Sequence, residues 1–191
     1  NSFYFMRIYS SKIDLNELNR QKALYEEEIK KLETEIYALA GMEFNIQSPK
    51  QLGEILFEKM GLPIVKKNKN GYSTDIEVLK YLEDKHPIIP IIMRYRTVTK
   101  LHQTYLEGMA SQIYPDGKIH TIFEQALTTT GRLSSIEPNV QNIPTRTTEG
   151  KMIRKFFVPE EGNWLFSSDY SQVELRVLAH MANVKLLSEA F

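Results

Sequence analysis

Trp164-Leu165-Phe166-Ser167-Ser168-Asp169-Tyr170-Ser171-Gln172-Val173-Glu174-Leu175-Arg176-Val177-Leu178-Ala179-His180 passes from one periodicity to another. Its first half is apolar and aromatic and follows the turn-forming Pro159-Glu160-Glu161-Gly162-Asn163, which predicts a buried strand over residues 164–169. The second half predicts a helix: Ser171 stands three residues before Glu174, a capping-box spacing, and Val173, Val177, Leu178 and Met181 share one face. A strand-to-helix junction is stiff, so it aims the Asp169 carboxylate at a cleft, where a hard cation accepts its oxygens. For Asp-Tyr-Ser alone a helix cap is account enough, because Asp and Ser are ordinary N-cap residues.

Working outward, 191 residues hold one or two small domains, and 42% hydrophobic content is enough for a core. Cysteine is absent, which excludes disulfides and thiolate zinc sites and suits a reducing cytoplasm. No apolar run approaches the ~20 residues of a membrane span, so no membrane partner is expected. The charge is balanced, 24 basic against 24 acidic side chains, and its total points to no partner class. Its distribution is uneven. Five cations (Arg132, Arg146, Lys151, Arg154, Lys155) face two acids (Glu137, Glu149) between residues 132 and 155, a strip suited to phosphates, while acid gathers between Glu26 and Glu35.

Asp14 and Gly41 bracket one long helix in which Leu15, Leu18, Tyr25, Ile29, Leu32, Ile36 and Leu39 recur three and four apart, with Lys22 the only break. Such a seam needs a partner helix. Residues 87–106 provide one, with Ile88, Ile91, Ile92, Tyr95, Val98, Leu101 and Tyr105 at helical spacing. Arg94, Arg96, Lys100 and His102 fall on the other face of that helix, either as a solvated face or as a ladder of cations along a duplex backbone. Between the two lie a short helix opened by Ser48-Pro49 and closed at Gly61, a basic loop at Lys66–Gly71, and a helix capped by Asp75. After Tyr114-Pro115-Asp116-Gly117 the pattern turns to alternation over 118–127, a predicted strand, and 128–146 reads mostly as loop.

Three blocks decide the family. Thr130-Gly131-Arg132-Leu133-Ser134-Ser135, Pro138-Asn139-Val140-Gln141-Asn142-Ile143-Pro144-Thr145-Arg146 and Asp169-Tyr170-Ser171-Gln172-Val173-Glu174-Leu175-Arg176, in that order, closely resemble the family A DNA polymerases of the bacterial DNA polymerase I type. The resemblance implies an α+β fold: a helical thumb arm with a long antiparallel helix pair over 14–112, then an incomplete palm over 113–191 with a few β-strands and a helix. Residues 1–13 are expected to be a divergent or artificial lead-in.

The resemblance also implies roles. Asp169 is similar to the carboxylate that bridges two Mg²⁺ ions, with the Tyr170 carbonyl as a further metal ligand. Tyr170, Ser171, Gln172 and Glu174 are expected around the incoming dNTP, Glu174 excluding a ribose 2′-hydroxyl. Arg96, Lys100, Arg132, Asn139, Gln141 and Asn142 are expected on primer-template DNA, and Arg132 and Arg146 in the catalytic machinery, at the primer terminus and the leaving pyrophosphate. An arginine fork suits minor-groove acceptors, and amides serve donors and acceptors alike without charge. The family's fingers helix and second metal-bridging aspartate are not found in these residues, so the expectation is a monomeric fragment of a bacterial, cytoplasmic and nucleoid-associated enzyme. That fragment alone would be inactive and would bind no metal. A stand-alone, sequence-independent duplex-binding module and a dimer built on the Leu15–Leu39 seam are the alternatives.

Overall fold

The computed structural model describes residues 11–69 and 71–190, so most of the expected lead-in, and Asn70 of the basic loop, lie outside it. The long helix is α1, Leu15–Ala40. It starts where Asp14 accepts the Asn16 and Glu17 N–H groups at 3.0 and 3.1 Å and stops where Gly41 turns left-handed at φ 70°. Leu18, Tyr25, Leu32 and Ile36 are buried. So is Gln21, one residue from the Lys22 that interrupts the apolar seam; its amide donates to the Met152 carbonyl at 2.6 Å.

After β1 (Lys12–Ile13) and α1 come α2 (Pro49–Gly53), a π-helical segment (Glu54–Lys59), the hairpin β2 (Lys67–Asn68) and β3 (Gly71–Tyr72), and α3 (Ile76–Leu82). The basic loop is thus a paired hairpin, with Lys67 Nζ 5.1 Å from the centre of the Tyr72 ring. Next is α4, Ile88–Leu101, which continues through a π-helical turn (His102–Glu107) into α5 (Gly108–Ala110). Pro87 and Pro90 stand at its start, where a missing N–H costs no bond. Ile88, Ile89, Ile92, Tyr95 and Val98 are buried, and α4 is the element packed most extensively on α1, the partner that the seam required. Each such aliphatic side chain contributes roughly 1.5–3 kcal/mol by leaving water.

The cationic face expected on α4 is corrected at three of its four positions. Arg94 is half-buried, with Nε 2.7 Å from Glu28 Oε1 and Nη1 2.5 Å from Glu149 Oε1; Arg96 is half-buried against Thr74, and His102 is buried. Both partners of Arg94 come from distant elements, so no local pattern foretells them.

The strand expected over 118–127 is shorter. β4 (Ile122–Glu124) pairs antiparallel with β5 (Ser134–Ile136) in the register Phe123↔Ser135, while Lys118 and Ile119 bridge to Lys12 and Ile113 instead. Thr121 and Ser135 are buried hydroxyls joined at 2.6 Å; Thr121 also donates to the Ile136 and Pro138 carbonyls, and Ser135 accepts the Val140 N–H. This knot anchors the 3₁₀ turn Val140–Asn142, and α6 (Thr148–Arg154) and β6 (Phe157–Val158, paired with β1) complete a compact unit that runs through Val158.

A second unit begins at Pro159 and contains α7 (Val173–Met181) and α8 (Lys185–Glu189), with Ala179 buried. The strand expected at 164–169 does not form: residues 163–170 hold no regular structure, and Trp164 and Phe166 are 93% and 90% exposed. A strand needs a ladder partner, and no strand lies in this unit among the described residues. Among the described residues, no helix is long and apolar enough to cross a membrane.

Candidate catalytic loop and nucleic-acid interface

In the second unit Asp169 and Tyr170 are exposed in the irregular segment that runs into α7. The capping box expected from Ser171 and Glu174 is replaced by another device. Gln172 is the N-cap residue, in the left-handed region at φ 50° and ψ 43°, and makes no side-chain cap bond. A non-glycine residue there is uncommon and strained. The turn is held from the helix side, where Arg176 Nε donates to the Ser171 carbonyl at 2.9 Å. Glu174 stands in the first turn of α7, where the helix dipole favours its charge.

The other expected residues lie in the first unit. Arg132 and Arg146 are exposed, and the Arg132 carbonyl accepts the Thr128 hydroxyl at 2.7 Å. Asn139, Gln141 and Asn142 expose their side chains around the 3₁₀ turn. Asn139 Oδ1 accepts the Gln141 N–H at 3.0 Å, and the Asn142 carbonyl accepts the Tyr105 hydroxyl, which ties this loop to the helical arm.

Arg96 and Lys100 do come together, on the wall of a cleft of about 750 Å³ that is also lined by Lys50, Asn68, Tyr72 and Asp75. Arg96 is half-buried: Nη1 donates to the Thr74 carbonyl and Nη2 to the Thr74 hydroxyl at 3.0 Å. Burial draws its pKa down, opposed by the Asp75 charge. Asp75 is held at about 2, first by the Val78 N–H that it caps, then by the Ser73 hydroxyl and Lys66. Lys100 is exposed. Lys50 was not anticipated on this wall. Its signal is a cation in the first turn of α2, beside the positive end of the helix dipole, where charge alone would not put it.

Residues 15–191 match the family model for DNA polymerase family A. The chain is 53% identical over 188 residues to DNA polymerase I of Geobacillus stearothermophilus, covering 97% of this chain and 22% of that protein. It is 54% identical over 182 residues to DNA polymerase I of Bacillus subtilis, covering 94% and 21%. A solved structure of the POL domain of Pol1 from M. smegmatis, in complex with DNA primer-template and dNTP, superposes with a TM-score of 0.84 at 39% identity, over 95% of this chain and 32% of that one. The chain therefore spans about a fifth of the length of the curated relatives it matches.

Proposed function

The chain belongs to DNA polymerase family A, and from that premise we propose that it is the thumb and first part of the palm of a DNA-directed DNA polymerase. The proposed division of roles is thumb over 14–112 and palm over 113–191. The observation that carries the reading is the exposed Asp169-Tyr170 segment, followed at once by Glu174 in the first turn of α7.

In the proposed reaction the primer 3′-hydroxyl attacks the α-phosphorus of a dNTP; one P–O bond forms as the bond to pyrophosphate breaks. The Asp169 carboxylate and the Tyr170 carbonyl are hard oxygen donors at an exposed turn, which fits Mg²⁺. Two such ions, when bound, activate the hydroxyl and neutralise phosphate charge. Among the described residues no group of three or more potential ligands includes Asp169. The remaining ligands are therefore expected from the longer polymerase, and the isolated chain is expected to be a monomer that does not extend primers. Ser171 and Gln172 flank the triphosphate, Arg146 meets the departing pyrophosphate, and Arg132 reads the primer terminus through its two-pronged guanidinium. Asn139, Gln141 and Asn142 line the primer-template. Residence in the bacterial cytoplasm, at the nucleoid, is part of this reading.

Glu174 is proposed to exclude the 2′-hydroxyl of ribonucleotides. Glu174→Ala in the longer polymerase is expected to raise ribonucleotide incorporation relative to deoxyribonucleotide by about 10–100-fold, the range that one such contact commands. Unchanged selectivity in single-nucleotide extension would sink that role.

The cleft bounded by Lys50, Arg96 and Lys100 is proposed to follow the duplex backbone. The test is duplex binding by this chain as salt is varied, since each phosphate contact contributes about 0.9 to the log–log slope. Lys100→Ala is expected to lower that slope by about one unit for any sequence; a slope that does not move would remove Lys100 from the interface.

A further inference from the structure

Away from the catalytic loop and the cleft, two carboxylates and an imidazole converge where α1 meets the π-helical turn after α4. Glu26 comes from α1, and His102 and Glu107 are the first and last residues of the turn. In an α-helix residues five apart point about 140° from each other, at roughly 100° per residue. The π-turn hydrogen-bonds five residues apart, so it returns position 107 to the side occupied by position 102. One ligand atom from each of the three lies within 4.8 Å of the others.

The imidazole is what marks this cluster out. The His102 side chain is only 9% exposed, and its Nε2 is buried without a hydrogen-bond partner. Glu26 Oε1, at 3.4 Å, is its nearest acidic neighbour. Buried polar nitrogens are nearly always satisfied, so an unpartnered one in a cluster with two carboxylates calls for a ligand. Glu26 and Glu107 keep about half of their side-chain surface, 45% and 50%, and can turn. A cavity of about 400 Å³ opens beside the three side chains.

We propose that Glu26, His102 and Glu107 bind a divalent transition-metal ion of the Zn²⁺ type, with three protein ligands and an open position for water. Bonds of about 2.0–2.2 Å to nitrogen and oxygen require the carboxylates to close in slightly, which their exposure permits. The imidazole nitrogen selects against Mg²⁺ and Ca²⁺, which take oxygen. Lys22 Nζ, 3.5 Å from Glu107 Oε1, holds that carboxylate until the ion displaces it. The site would staple the two long helices of the arm, and it is independent of the polymerase reading.

The test titrates the 191-residue chain with Zn²⁺ against a chromophoric chelator, with Co²⁺ as a spectroscopic stand-in. One ion per chain is expected, with a visible Co²⁺ spectrum for a mixed nitrogen and oxygen site. His102→Asn should weaken binding by about tenfold or more. Glu107→Gln, which alters an exposed side chain and spares the core, should do the same with an unchanged circular dichroism spectrum, while Asp169→Ala should leave binding intact. Absence of saturable binding, or binding that survives both His102→Asn and Glu107→Gln, overturns the proposal.

Discussion

Asp169→Ala, placed in the longer polymerase, is expected to abolish nucleotide incorporation while primer-template binding persists. The carboxylate is exposed and has no hydrogen-bond or ion-pair partner among the described residues, so its removal takes away no packing. Under the role proposed for Asp169, what is lost is an anionic oxygen where charge would develop during phosphoryl transfer. Electrostatic groups of that kind are commonly worth about 10²–10³ in rate, and a bridging metal ligand belongs at or beyond the upper end. Single-turnover primer extension with Mg²⁺ gives the rate, and a gel shift gives the binding. Turnover within about tenfold of the parent would take the metal role away from Asp169. If DNA binding were lost together with turnover, the defect would lie in the fold or the interface.

Gly150→Ala is expected to destabilise the first unit although it replaces a glycine inside a helix. In an open helix the exchange would gain up to about 1 kcal/mol from propensity. Here a Cβ would sit 2.6 Å from the Pro144 carbonyl carbon and 2.8 Å from Pro144 Cβ, and backbone cannot swing aside as a flexible side chain can. Thr147 caps the Gly150 N–H at 3.0 Å, so α6 is pinned where the clash occurs. Moving α6 would disturb the Glu149 contact with Arg94 and the Met152 carbonyl that accepts from Gln21, both ties to the long helices. Overpacking of this kind costs about 1–3 kcal/mol, which outweighs the propensity gain. Urea unfolding measures it, and a variant as stable as the parent would mean that Pro144 yields.

Much of the helical arm is legible in the sequence because its signals are local. Asp14 and Gly41 end α1, Ser48-Pro49 starts α2 and Asp75 starts α3, each through bonds to groups within four residues. The apolar spacing of α1 and of 88–101 likewise states that each buries one face, and two such faces in one chain find each other. The three motif blocks also lie in short stretches, and the family they suggest is the one whose model matches residues 15–191.

The remaining features were set by long-range contacts, because each depends on a partner far along the chain. Arg94 and Lys100 sit on one helix with the same charge, yet Arg94 is drawn inward by Glu28 and Glu149 while Lys100 stays in water. Gln21 is buried because the Met152 carbonyl waits 131 residues away. The run 164–169 has strand composition but no ladder partner in its unit among the described residues, and composition cannot supply one. Local signals thus mark α1, α2, α3, α4 and α7 as helices and carry the family, whereas α6 and α8 emerge only in the fold. Tertiary contacts set which charged and polar groups are drawn into packing and which stay in water, since desolvation and pairing are settled by neighbours that only folding brings close.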